Sequence, residues 1–319
     1  MTSPSSFQTQ HWANLKETTS GWGIRILLTI DRLLGRTFFR VCLLPVLLWY
    51  IATQPIARAA SYQYLNKIAA VKNTPPPTLK DVIRHFMAFG ESILDKFLLL
   101  NHRFDVSRVS IFGQPMMLQC VAQKKGALII CAHFGNFEIC KVLSRNHPDL
   151  KITMLVHDRH AVAFNQLLKK SNRAGELQMI QVTEISPSTA ILLKEKIDQG
   201  EMIVIAGDRI PVSDRPRTQK ADFLGSPAHF PVGAYALASL LGAPIYLMFV
   251  YQTQERFNIV FEKMSDAFRL PRNHRDEVLK TMVGQFAARL EYYCLQAPTQ
   301  WFNFYNFWQD SDDSNDQKP

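Results

Sequence analysis

The sequence predicts an α/β fold: a mostly parallel sheet flanked by helices, preceded by an apolar helical membrane element. Three observations carry this. Short apolar runs at 127–131, 152–156, 177–182 and 202–206 alternate with helix-patterned stretches at 161–170, 189–197 and 232–241, which is the βα alternation of a parallel sheet. His133, His157-Asp158-Arg159 and Gly207-Asp208-Arg209 each fall just after such a run, where open parallel sheets place their ligands. Residues 41–57 carry no charge and lie between basic residues, as a membrane-contacting segment does.

Taken in order, residues 22–35 interleave Ile24, Leu27, Leu28 and Leu34 with Arg25, Asp31 and Arg32 at helical spacing, so an amphipathic surface helix is expected. The apolar stretch 41–57 is near the minimum spanning length and is interrupted by Pro45 and Pro55. Arg25, Arg32, Arg36 and Arg40 precede it, and Arg58 and Lys67 follow. Positive charge on both sides favours keeping both ends cytosolic, hence a re-entrant or interfacial hairpin. The alternative is a core helix, because Trp49 and Tyr50 suit an interior as well as an interface. Asn73-Thr74-Pro75-Pro76-Pro77 breaks any helix. It divides a polar N-terminus and membrane-associating helical segment, 1–72, from an α/β body, 73–309, and an acidic disordered tail follows over 310–319.

Within the body, apolar residues at helical spacing predict a helix over 79–100, then short strands at 109–111 and 116–120. After the alternating elements come a strand pair at 244–251 and 257–261, allowed to be antiparallel, and a closing helix over 275–296 with Val278, Met282, Phe286, Leu290 and Tyr293 on one face. The aromatic run 301–308 suits an acyl-chain pocket, a bilayer anchor or core packing.

Composition narrows the function classes. With 319 residues, 47% of them hydrophobic, the chain can bury one large core. Net charge is +9, and the tail over 310–319 contributes −3, so the remainder carries +12. Such a surface suits anionic lipid, nucleic acid or an acidic carrier protein. The apolar segment and the lack of a recognisable binding motif argue against nucleic acid. Five cysteines without a CxxC pair predict neither a disulfide framework nor a zinc site, and a reducing compartment. His157 and His160 lack a third ligand type in register, so no metal is expected. No basic n-region leads into an apolar h-region, so no cleaved signal peptide is expected.

The chemistry concentrates at 127–138. An apolar strand ends in His133, turns through Gly135-Asn136 and re-emerges as a helical pattern holding Glu138. On one helix, residues five apart would sit about 140° apart. A turn with Asn136 as the helix cap instead folds Glu138 back under His133. A carboxylate accepting from one imidazole nitrogen fixes the tautomer and leaves the other nitrogen as a base. The structural reading is a histidine near a helix N-terminus, with Glu138 a favourable charge on its dipole. Cys131 would project to the same side of the strand as His133, which allows a covalent rival. The loop 207–220 clusters Arg209, Arg215 and Arg217 with Lys220, a set suited to phosphate. Arg159 is a phosphate candidate by the same argument.

His-x4-Glu after an apolar strand resembles the lipid A late acyltransferases, the lauroyl and myristoyl transferases of the lysophospholipid acyltransferase superfamily. The order of the rest fits: an apolar N-terminal segment, the motif, the Gly207-Asp208-Arg209 block, and a Phe-Pro-Val-Gly helix start at Phe230. The likeness covers about residues 20–308 in order of elements. In the 207–209 loop and the aromatic C-terminus the chain looks closer to a less characterised branch of predicted acyltransferases. The resemblance implies transfer of a fatty acyl chain from an acyl-carrier-protein or coenzyme A thioester to a hydroxyl (or amine) of a glycolipid-like acceptor. It implies no cofactor, a place on the cytoplasmic face of the inner membrane, and catalysis by His133 with Glu138. Gly135 and Asn136 would lie against substrate, and Asp208 and Arg209 fall in the superfamily's acceptor-binding block. A hydrolase using the same pair with water, and a non-enzymatic basic membrane- or nucleic-acid-binding protein, are the rival classes.

Overall fold

β2 (Ala127–Cys131) is buried at every position, and its side chains feed two different cores. Leu128 and Ile130 join one apolar cluster and Ala127, Ile129 and Cys131 the other, the period-2 alternation of a strand covered on both faces. The chain is described here from a computed structural model, which covers residues 21–101, 103–140, 147, 149–156, 178–181, 186–211, 216–254 and 256–308.

Around β2 lies a seven-stranded sheet. Its other strands are β1 (Val109–Phe112), β3 (Ile152–Val156), β4 (Gln178–Gln181), β5 (Met202–Ala206), β8 (Ile245–Thr253) and β9 (Arg256–Ser265), in the order β1-β9-β8-β2-β5-β3-β4. Every pairing is parallel except β8 with β9. β6 (Thr218–Phe223) and β7 (Ser226–Pro231) form a separate hairpin. Among the described residues the α-helices are α1 (Gly21–Leu34), α2 (Arg36–Thr53), α3 (Pro55–Lys72), α4 (Leu79–Leu100), α5 (Gln114–Ala122), α6 (Pro187–Asp198), α7 (Gly233–Leu241) and α8 (Arg275–Gln296).

The expected parallel α/β core is present, and its departures have local causes. Residues 116–120 are helical, inside α5, because Gly113 takes a left-handed backbone at the N-cap and Pro115 occupies the first turn, where a missing N–H costs nothing. The basic loop is shorter than expected, since Thr218 already begins the hairpin. Its two-residue turn, Leu224-Gly225, has positive φ at both positions, the twist that tight hairpins need. Residues 301–308 form no strand beyond a single bridge from Trp301 to Phe134. Trp301, Phe302, Phe307 and Trp308 are nonetheless buried, so the run packs as core. The helix expected over 161–170 lies outside the described residues.

The prolines at 75–77 turn the chain between α3 and α4, and a capping box of Thr78 with Asp81 starts α4. Packing crosses that turn. Phe39, Leu43, Leu47 and Ile51 of α2 and Tyr64, Leu65 and Ile68 of α3 belong to the same cluster as the sheet. Arg36 and Arg40 of α2 reach Asp95 and Glu91 of α4, while Tyr50 meets Phe86, with ring centroids 5.8 Å apart. α2 therefore lies antiparallel along α4. Its opposite side, with Phe38, Val41, Leu48 and Trp49, is exposed, and α2 is long and apolar enough to be a candidate membrane helix.

Candidate active site

The register of two strands brings the central pair together. β2 and β5 run parallel with Cys131 opposite Ala206, so two residues further on His133 comes alongside Asp208. His133 Nδ1 lies 2.9 Å from Asp208 Oδ1, and the His133 backbone N–H donates to Oδ2 at 2.9 Å. The indole Nε1–H of Trp301 donates to the same Oδ2 at 3.0 Å. Asp208 is buried, while the His133 side chain keeps 28% of its surface exposed.

Electrostatics fix the protonation states. Burial alone would raise the Asp208 carboxyl, but His133 and Arg209 overcome it and hold the group down to about 2. Burial and the nearby Arg209 charge lower the proton affinity of His133, against the opposing pull of Asp208 and Glu138. At neutral pH the pair is therefore a carboxylate and a neutral imidazole. An ionised carboxylate only accepts, so Nδ1 carries the proton and Nε2 keeps its lone pair. That is a base already in the tautomer it needs.

The expected contact from Glu138 to His133 is replaced by this one. Glu138 is the second residue of a 3-10 turn, Phe137–Cys140, and its carboxylate makes an ion pair with Lys96 of α4. Its charge still raises the proton affinity of His133. Gly135 has φ +60°, and a Cβ there would fall 1.8 Å from the Val250 carbonyl oxygen; only glycine can turn the chain at that point. Its N–H donates to the Gln300 carbonyl at 2.7 Å, and the Phe302 N–H donates to the His133 carbonyl at 2.8 Å. The Gly135 amide is thus engaged by the C-terminal segment. Asn136 is buried, and its amide donates to the Ser92 carbonyl of α4 at 3.1 Å; no capping bond from its side chain is formed.

Arg209 donates from Nη2 to the Phe302 carbonyl at 3.2 Å and sits close enough to act on both His133 and Asp208. Arg217 is exposed just before β6, with its carbonyl accepting from the Val232 N–H. Arg159 and Arg215 lie outside the described residues, as do His157 and His160. Cys131 packs in the opposite core cluster from the sheet face of Ala132, and burial, with Asp208 and Cys140 nearby, drives its thiol well above the ordinary range. A thiol so held is not a nucleophile. Among the described residues no group of three or more His, Cys, Asp or Glu could hold a metal ion.

Residues 80–310 match the family model described as bacterial lipid A biosynthesis acyltransferase. No curated protein matches the chain.

Proposed function

The chain belongs to the bacterial lipid A biosynthesis acyltransferase family and is an acyltransferase, and on that premise we propose that His133 and Asp208 form its base pair. The observation that carries this reading is the Nδ1 contact to a buried carboxylate held down to about 2, beside a part-exposed imidazole of lowered proton affinity. In the reaction, Nε2 takes the proton of the acceptor hydroxyl as that oxygen attacks the thioester carbonyl. The C–O bond forms, the C–S bond breaks, and the imidazolium returns the proton to the departing thiolate. Asp208 balances the transient charge on the ring. General-base help of this kind contributes about 10²- to 10⁴-fold. Glu138 belongs to the site through its charge and its hold on Lys96, and Arg209 supplies a guanidinium for a phosphate of donor or acceptor.

The donor is an acyl-carrier-protein or coenzyme A thioester, which the +12 body suits in charge, and the acceptor is a hydroxyl (or amine) of a glycolipid in the inner membrane. The exposed apolar side of α2 would rest on the cytoplasmic face. A helix with its other side in the body's core lies in the interface more readily than it spans. The test is to incubate the full chain in detergent with either thioester and a total lipid extract, and to follow a mass-shifted lipid. Wild type should give an acylated species and His133→Ala essentially none; equal product from His133→Ala would remove the base assignment.

A further inference from the structure

We infer that Trp301 is a positioning residue of the acyl-transfer site, its indole N–H holding one oxygen of Asp208 so that the other faces His133 Nδ1. This rests on the His133–Asp208 reading above and extends it to the C-terminal segment. Asp208 has two oxygens and three donors: Oδ1 meets the imidazole, while Oδ2 accepts from both the His133 backbone and Trp301. The two bonds on Oδ2 stop the carboxylate rotating about its Cβ–Cγ bond. Without the indole, one of them is lost, and a carboxylate with fewer fixed donors presents Oδ1 less reliably.

The indole is itself held from several sides. Trp301 is fully buried and edged by Tyr64 and Phe223, with ring centroids 5.1 Å away in each case. Its backbone is fixed by the bonds on either side of it, Gln300 carbonyl to Gly135 N–H and Phe302 N–H to His133 carbonyl. Its own carbonyl is 2.8 Å from His85 Nε2, and Ser61 Oγ is 2.9 Å from His85 Nδ1. Because a carbonyl accepts only, Nε2 carries the ring proton and the Ser61 hydroxyl donates to Nδ1. Both groups are buried. A chain of contacts therefore runs from α3 through α4 and Trp301 to Asp208, with every link geometrically defined. The aromatic segment packs as core, one of the three roles its sequence left open, and in doing so braces the base.

The test is Trp301→Phe in the full chain, which removes the N–H and keeps an aromatic ring. The acyl-transfer assay should show kcat/KM lower by about tenfold to a hundredfold, the usual effect of losing a group that orients a functional side chain. Its acid limb should also move to higher pH, because Asp208 with one donor fewer leaves more charge to stabilise the His133 imidazolium. A merely structural tryptophan would lower the folded fraction and leave the limb in place. If His133→Ala and Asp208→Asn abolish transfer while Trp301→Phe matches wild type in rate and limb, the positioning role fails and the dyad stands. If His133→Ala and Asp208→Asn both retain wild-type transfer, the dyad reading has failed instead. Should Trp301→Phe lose its cooperative thermal transition, wild-type chain labelled with ¹⁵N-tryptophan decides. A slowly exchanging indole N–H must shift as His133 titrates, and an indole set that stays put across that range overturns the inference.

Discussion

Which carboxylate serves His133 can be settled at the level of single side chains. Asp208→Asn removes the charge opposite Nδ1 and permits the wrong tautomer, so kcat should fall by about 10³- to 10⁴-fold, as for a triad carboxylate. Glu138→Gln leaves the Nδ1 contact in place and should cost far less. It should also move the acid limb of kcat/KM to lower pH, since Glu138 raises the proton affinity of His133. A loss from Glu138→Gln as deep as that from Asp208→Asn would reinstate Glu138 as the orienting group. Arg209 acts in the opposite sense: Arg209→Gln should shift the limb upward, whereas Arg209→Lys keeps the charge, holds the limb and raises KM, because an ammonium cannot form the planar fork. Equal KM for wild type and Arg209→Lys across a salt series would exclude phosphate chelation by this residue. His133 and the 207–209 block were both legible in the sequence as strand-end chemistry. Their pairing was not, because parallel register joins residues 75 apart and neither strand alone encodes it. A five-residue spacing made Glu138 the visible partner, and Lys96, which claims it, sits on a distant helix.

Among the elements, α4 holds most of the site together: His85 meets Trp301, the Ser92 carbonyl takes Asn136, and Lys96 takes Glu138. Its span was readable because apolar residues recur at helical spacing after the proline run. α5 and the β6–β7 hairpin were missed for opposite reasons. Residues 116–120 are apolar enough to pass for a short strand, and Leu224 gives no warning that it will accept positive φ. Burial lowers His85 to about 4, which makes a stability prediction. Between that value and the ordinary 6.5 the unfolded chain binds the proton and the folded chain does not. The stabilisation is therefore complete above about pH 6.5 and drains away as pH falls towards 4, by on the order of 3 kcal/mol. Thermal melts of wild type should drop across that window, and His85→Gln, less stable at neutral pH, should show a flatter profile. Parallel profiles would mean that the acid sensitivity belongs to other groups, His133 among them. The β2 exit turn gives a second test. Gly135→Ala must strain a left-handed backbone, for more than about 1 kcal/mol, and meet the Val250 carbonyl at 1.8 Å. A melt unchanged from wild type would contradict that turn.

For the molecule as a whole, the question is whether the N-terminal helices are an anchor tied to a separate body or part of the body itself. The proline run suggested the first, since composition shows where helices break but not what they pack against. In the fold α2 has two faces with different duties. The inner one places Phe39, Leu43, Leu47 and Ile51 in the core and Arg36 against the buried Asp95. The outer one leaves Val41 62% and Trp49 59% exposed. Point substitutions separate the faces where a truncation would confound them. Leu47→Ala should destabilise the full chain by about 2–5 kcal/mol, as a core deletion does, while leaving intact the outer apolar surface proposed to meet the membrane. Val41→Asp with Trp49→Asp should leave the melt near wild type but release the protein from sedimenting vesicles of anionic phospholipid, because charge is introduced only where lipid would lie. Transfer to lipid in vesicles should then fall, and transfer in detergent should persist, since His133 and Asp208 are untouched. Retention of the double variant on vesicles at every salt concentration would place the membrane contact elsewhere on the molecule.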